Sequence, residues 1–321
     1  MNKIKEYQEI INYKIKKVRI QGNPDELYNP INYILSLKSK RVRPTLSILS
    51  YSLFKEDLNK ITKPSIALEF FHNFTLIHDD IMDNAEIRRG KDTIHKKWNK
   101  NIGILSGDLL MIFAYKMLEN IDNKSFKKTF ERFNNIAIKV CEGQQYDMNF
   151  EIKNEISEDD YLKMITLKTA VLIGFSLELG GLIANQEKQI TDQLYLAGEK
   201  IGISFQLMDD YLDVFGNAEF GKKIGGDILL NKKTYLIIKL LEQADTYDKK
   251  NILKMMNSND DENKIKFITS MMIKYEIDKI SKDKMDSFFN DGIEILNNIP
   301  GNKESLKNLK NYFEKIRNRY Y

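Results

Sequence analysis

Two acidic sets of identical spacing stand out in the chain. Asp79, Asp80 and Asp83 lie in LIHDDIMDNAEIRRG, and Asp209, Asp210 and Asp213 lie in FQLMDDYLDVFG. Each reads DDxxD inside an apolar pattern of helical period, and at about 100° per residue its three carboxylates fall within an arc of about 100°. Carboxylates held that close repel one another and raise one another's pKa, so they call for a cation between them. Mg²⁺ commonly takes one or two carboxylates plus substrate phosphates and keeps water in its other positions. One DDxxD alone is most often a solvated helix face; two in apolar helices, each followed by basic residues, suggest a clamp for a polyanion held through divalent metal. Zinc fits poorly, because the three histidines lack partners at ligand spacing and one cysteine cannot build a thiolate site.

The cations near these sets have both a bland and a functional reading. Arg88 and Arg89 follow the first set and could be surface salt bridges, or paired forks for phosphate oxygens. Lys40, Arg41 and Arg43 in SKRVRP precede Pro44, which suggests a helix start; that is an anion site by geometry or a solvated basic turn. His72 precedes Asp79 by seven residues, two helical turns, and so shares its face, although a histidine in FFHNF is otherwise a core residue. His78 points elsewhere and reads as structural. Lys168 and Thr169 interrupt an apolar helix, Gln206 lies one turn before Asp209, and Lys222 and Lys232 bracket a glycine-bearing loop. Exposed or snorkelling side chains would explain each of these. Glycines at 221, 225 and 226 suit either a moving loop or a plain connector.

The elements that must carry these residues read as helices. Proline occurs at 24, 30, 44, 64 and 300, leaving residues 65–299 free of it. Apolar residues recur at three and four through Ile66, Phe70, Phe74, Ile77 and Ile81, and strand-like alternation is scarce. Ser157 with Asp160 resembles a capping box opening a helix through Ile183. Loops are signalled at residues 22–25, 89–93, 216–226 and 258–261. No internal repeat or Pro/Gly/Ser linker appears. Joint use of the two acidic sets predicts one all-α domain over residues 1–321, a single bundle of ten or more helices with the sets facing each other across a central cavity.

Composition sets the outer limits. A net charge of +4 without a dense Lys/Arg block argues against nucleic acid as partner. One cysteine, Cys141, fits a reducing compartment, and the charged N-terminus lacks the apolar core of a signal peptide. The longest apolar stretch, from Val171 to Ala184, contains Glu178 and is short for a membrane span. The expectation is a soluble cytoplasmic protein.

From SKRVRP through HNFTLIHDDIMDNAEIRRG, GDLL, CEGQ and LKTA to GISFQLMDDYLDVFG and FGKKIGGDILLNKKT, nearly the whole chain resembles the trans-isoprenyl diphosphate synthases. These polyprenyl synthetases include the farnesyl and geranylgeranyl diphosphate synthases and share the all-α isoprenoid synthase fold. The resemblance implies a homodimeric prenyltransferase of isoprenoid biosynthesis that condenses isopentenyl diphosphate with dimethylallyl, geranyl or farnesyl diphosphate. It implies that the six aspartates hold about three Mg²⁺ on the allylic diphosphate. Arg88, Lys168, Lys222 and Lys232 would contact that diphosphate, while Lys40, Arg43, His72 and Arg89 would bind isopentenyl diphosphate. Lys168, Thr169 and Gln206 would be the catalytic side chains, with Thr169 and Gln206 near the developing carbocation.

The chain departs from the family pattern at Ser39, Asp92 and Asn231, which stand where glycine, proline and glycine are usual. None of these removes a charged ligand. The family places a chain-length floor one or two turns before the first aspartate, and Phe74, five positions upstream, occupies that place, with Phe71 and Thr75 nearby. A C15 to C20 product follows, leaning towards geranylgeranyl diphosphate, with farnesyl or a longer polyprenyl diphosphate as the alternative. A terpene cyclase normally carries a different second metal motif, and a regulatory subunit on the same fold normally loses site residues. The C-terminal EKIRNRYY reads either as a tail that closes over the site or as a last helix turn.

Overall fold

Three- and four-residue apolar spacing without proline makes helix the low-cost conformation, and the chain adopts it nearly throughout. The computed structural model describes residues 3–18, 20–153, 155–216 and 225–317. The first helices are α1 (Lys3–Lys17), α2 (Asp25–Ser36), α3 (Val42–Tyr51), α4 (Asn59–Met82), α5 (Ile94–Lys97), α6 (Lys100–Leu118) and α7 (Asn123–Ile152). Then come α8 (Glu158–Ile165), a π turn (Thr166–Ala170), α9 (Val171–Ile183), α10 (Lys188–Phe215) and α11 (Gly226–Leu229). The chain closes with α12 (Tyr235–Gln243), α13 (Thr246–Met256), α14 (Asp261–Lys274), α15 (Ile277–Asn297) and α16 (Lys303–Arg317). The fold class is all-α.

The β structure among the described residues is one antiparallel pair, β1 (Ile87–Arg88) against β2 (Lys91–Asp92). Arg89 and Gly90 between them have φ of 53° and 73°, the pattern of a tight type I′ hairpin turn. Sequence reading gave only a loop here, because two-residue strands are too short to show alternation.

Other boundaries shift for identifiable reasons. Helix α4 starts at Asn59 and runs through Pro64, which costs one backbone hydrogen bond early in a long helix. Helix α3 opens at Val42 after Arg41 in the left-handed region at φ 47°, so Pro44 falls in the first turn, where its missing N–H has no intrahelical partner anyway. The capping box is present, with Asp160 N donating to Ser157 Oγ at 3.1 Å. From it the helix continues over Glu158–Ile183, 26 residues rather than the shorter Val171 stretch. By length and apolarity that helix and Lys100–Leu118 could each cross a membrane, but 78% of the most apolar 18-residue window of the former is buried inside the protein. Its Glu178 takes a two-pronged pair from Arg132, Nε and Nη2 each at 2.7 Å.

The chain divides into two compact units. The first comprises Met1–Phe133, Ser176–Leu194 and Ile299–Tyr312. In its core α4 packs on α3 and α6, burying Leu46, Leu49, Ile66, Phe70, Leu110 and Ala114. The glycine of GDLL belongs to this packing, since a β-carbon on Gly107 would lie 2.4 Å from His78 Nε2. The same Nε2 lies 3.2 Å from Ile104 O.

The second unit comprises Asn134–Phe175, Tyr195–Asn298 and Phe313–Tyr321. Its core gathers Tyr161, Leu207, Met208, Leu236, Ile252, Ile268, Met272 and Met285. Close backbone approaches run through it. A β-carbon on Gly198 would lie 2.8 Å from Gly174 Cα, and one on Gly202 would lie 2.7 Å from Ala170 Cα. The tightest is Gly143 of CEGQ, where a β-carbon would come within 2.2 Å of Lys168 N.

Backbone cannot yield to that contact as a flexible side-chain end could. Gly143→Ala is therefore expected to destabilise the protein by about 1–3 kcal/mol through overpacking and to disturb the π turn. Urea unfolding of the variant checks this, and an unchanged midpoint would refute the close contact.

Candidate active site

In the first unit the acidic set divides by depth. Asp79 and Asp83 stand about 40° apart around the helix and face outward, whereas Asp80, about 100° from Asp79, turns into the protein. Asp80 is 2% exposed. Arg88 in β1 grips it, with Nε 2.8 Å from both carboxylate oxygens and Nη2 2.6 Å from Oδ1. Burial raises the pKa of Asp80, and the Arg88 hydrogen bond and charge oppose that rise. The hairpin thus places Arg88 on Asp80 while its turn carries Arg89, whose Nη1 lies 3.5 Å from Asn73 Oδ1.

Two turns before the aspartates, His72 Nε2 lies 3.0 Å from Arg43 Nη1. A guanidinium only donates, so Nε2 accepts and the ring proton sits on Nδ1. Desolvation, and then Arg43, Arg89, Arg88 and Arg41, hold the His72 pKa well below its ordinary value, so the ring is neutral. Burial likewise lowers the Arg89 pKa, opposed by Glu69. Arg41 departs from the sequence reading of a basic trio: it is buried, with Nη1 2.5 Å from Glu69 Oε1 and Nη2 2.6 Å from Leu35 O. Ser39 joins this pair, donating to Glu69 Oε1 at 3.5 Å and accepting from Arg41 N at 3.3 Å. The flanking Lys40 accepts at its carbonyl from Gln8 Nε2, 3.1 Å away.

Below the aspartates lies an aromatic cluster. Phe74 packs on Phe71 and on His78 with ring centroids 5.7 and 4.8 Å apart, and Phe71 meets Phe133 edge-on at 5.4 Å. Tyr115 meets Phe133 at 5.4 Å. Thr75 turns its hydroxyl back onto His72 O at 2.9 Å.

The second unit repeats the division by depth. Asp209 is exposed and Asp210 is buried. Asp210 accepts from the Tyr161 hydroxyl on Oδ2 and from Gln206 Nε2 on Oδ1 at 3.1 Å. Burial pushes its pKa up to about 7, helped by Asp227 and Asp209 and opposed by the Tyr161 and Gln206 hydrogen bonds. Asp213 accepts from Asp227 N at 2.9 Å on Oδ2 and so holds the start of α11. The π turn carries Lys168, Nζ 2.5 Å from Asp147 Oδ2, and Thr169, Oγ1 2.9 Å from Gln206 Oε1. Single π turns recur at functional sites, and nothing in LKTA announces one. Lys232 lies 3.5 Å from Asp227 Oδ1, after Asn231 at φ 54°, a left-handed conformation that asparagine tolerates. Lys222 lies outside the described residues.

Sequence reading missed Tyr161, Asp147, Glu69 and Asn73. Their only signals were position: Tyr161 falls one turn after the Ser157 cap, and Asp147 three residues after CEGQ. Among the described residues no three His, Cys, Asp or Glu side chains form a metal cluster by themselves. Outward carboxylates in ones and twos, all oxygen donors, fit a hard cation that completes its shell with phosphate and water.

The polyprenyl synthetase family profile matches residues 24–272. The geranylgeranyl diphosphate synthase of Saccharolobus solfataricus is 36% identical over 312 residues, 94% of this chain and 92% of that protein. The short chain isoprenyl diphosphate synthase of Methanocaldococcus jannaschii is 38% identical over 236 residues, covering 73% and 72%. A solved geranylgeranyl pyrophosphate synthase superposes with a TM-score of 0.94 at 37% identity, covering 100% of both chains.

The neutral His72 makes a pH prediction. Its folded pKa is well below 6.5, so below pH 6.5 the unfolded chain binds the extra proton and stability falls as pH falls. Asp210, raised to about 7 from 3.8, works in the opposite direction between those values. The difference between wild type and His72→Gln isolates the histidine: its stabilising share should be full at about pH 7.5 and shrink by about pH 5.5. Urea midpoints across that range check it, and parallel curves for the two proteins would contradict it.

Proposed function

The chain belongs to the polyprenyl synthetase family, and from that premise we propose that it is a short-chain trans-prenyltransferase, with residues 1–321 as one polyprenyl synthetase domain. It condenses isopentenyl diphosphate with an allylic diphosphate, and geranylgeranyl diphosphate is the expected product. The observation that carries this reading is the matched pair of DDxxD sets, each with its second aspartate buried and held by a protein donor, Asp80 by Arg88 and Asp210 by Tyr161.

Each side chain then has a task. Asp79, Asp83 and Asp209 would hold Mg²⁺, about three ions by family likeness. Asp80, Asp210 and Asp213, which also accept from Arg88, Tyr161 and Asp227 N, complete the six-aspartate set. Bound Mg²⁺ would neutralise charge building on the departing diphosphate. Arg88, Lys168, Lys222 and Lys232 add fixed positive charge for that diphosphate. Lys40, Arg43, His72 and Arg89 receive isopentenyl diphosphate, and a neutral His72 can donate through Nδ1 while Arg43 keeps Nε2 occupied. The allylic C–O bond ionises, the isopentenyl double bond attacks the cation, and a proton leaves to the released pyrophosphate. Thr169 and Gln206 offer oxygen dipoles rather than nucleophiles, and water must be excluded because it would quench the cation.

The aromatic packing of Phe74 on Phe71 and His78 supports a firm floor. A homodimer accords with Ile104, Leu105 and Ile112, exposed on one face of α6. A cytoplasmic setting rests on the lone, exposed Cys141.

Incubation with isopentenyl diphosphate, Mg²⁺ and each allylic diphosphate in turn should yield mainly a C20 product by mass spectrometry. No elongation from any of them would sink the proposal. Asp79→Ala and Asp209→Ala should each lower kcat by about 10³ or more with helical content intact, as expected for lost transition-state charge stabilisation. Phe74→Ala should lengthen the product, and an unchanged distribution would exclude it as the floor.

A further inference from the structure

With Asp210 ionised, the second unit contains a chain of hydrogen bonds whose polarity is set by its donors. Gln206 Nε2 donates to Asp210 Oδ1 at 3.1 Å, so its Oε1 faces the other way and accepts from Thr169 Oγ1 at 2.9 Å. The amide oxygen carries no proton, so the Thr169 hydroxyl must donate its only hydrogen there. What Thr169 has left for its surroundings is a lone pair. Reversal of the amide would aim N–H at Thr169 and free the hydroxyl hydrogen to point at substrate, the wrong end of the dipole for a developing cation.

Asp210 decides which orientation holds, and Asp210 is itself anchored from behind. The Tyr161 hydroxyl donates to Oδ2, from a side chain 3% exposed whose ring packs against Tyr235 at a centroid distance of 6.5 Å. Tyr161 sits on α8, whose start is fixed by the Ser157 capping box. Burial leaves no ready water to take over if the hydroxyl is removed, so Oδ2 would lack a donor and the carboxylate would lose its set orientation.

We propose that Tyr161 is a positioning residue for prenyl transfer, acting through Asp210 and Gln206 to make Thr169 present its lone pair to the allylic cation. This rests on the prenyltransferase reading for its consequence and on the hydrogen-bond geometry for its cause. Tyr161→Phe removes only the hydroxyl. It should lower kcat about tenfold and leave the KM for isopentenyl diphosphate within about twofold, a transition-state effect without loss of ground-state binding.

The deciding experiment is a double-mutant cycle with Thr169→Val, accompanied by ¹⁵N NMR of the Gln206 side-chain amide, assigned by its loss in Gln206→Leu. If Tyr161 acts through the relay, its substitution should cost less than about threefold once Thr169 is gone, because both changes break one network. The Gln206 amide signal of the resting protein should move in Tyr161→Phe. Equal losses in both backgrounds, or an unmoved Gln206 signal with thermal stability retained, would overturn the proposal. A wild type that elongates nothing would remove the prenyltransferase reading instead, and the Gln206 signal would still decide whether Tyr161 orients the relay. Should Tyr161→Phe unfold, Gln206→Glu tests the same relay: it removes the amide donor to Asp210, and equal losses of kcat in the wild-type and Thr169→Val backgrounds would overturn the proposal.

Discussion

A carboxylate cannot enter an apolar helix face unaccompanied, because desolvation costs more than the packing returns. Glu69, Asp80, Glu178 and Asp210 are all 5% exposed or less. Each has its own donor: Arg41 on Glu69, Arg88 on Asp80, Arg132 on Glu178, and Tyr161 with Gln206 on Asp210. These pairs do more than neutralise charge. Arg88 ties the hairpin to α4, Arg41 ties the start of α3 to it, and Tyr161 ties α8 to α10. Placement of the outward aspartates follows from the anchoring of the inward ones.

The region around His72 has an opposite imbalance. Burial first, and then the charges of four arginines, keep the His72 imidazole neutral; among those arginines Arg41 and Arg88 are bound to buried carboxylates. Like charges gathered around a part-buried ring are costly to the empty protein and favourable to an anion that arrives there.

Backbone proximity governs the second unit. A π turn widens the helix by one residue, and that widened backbone must fit against α7 and α10. Glycine at 143 and 202 removes the side chains that would collide with it. The fit sets Thr169 beside Gln206 and Lys168 beside Asp147. Here function depends on atoms that are absent, the β-carbons of CEGQ and GISFQ.

By itself the sequence determined the helical class, the helix start at Ser157, the two acidic sets and the family. These rest on period, capping chemistry and motif order, which are local along the chain and survive any ambiguity of packing. The departures at Ser39 and Asn231 were visible as well, but not their fit: one joins the Arg41–Glu69 pair and the other accepts a left-handed turn. Only the tertiary structure decided which aspartate of each set turns inward, that Arg41 is a buried partner, that LKTA forms a π turn, and that Tyr161 backs Asp210. Arg88 reaches Asp80 from eight residues on through the hairpin, and the others depend on a donor or a backbone brought from farther along the chain, 49 residues in the case of Tyr161 and Asp210. Helical spacing fixes the angle between neighbouring side chains, but what stands opposite each of them is settled only when the helices pack.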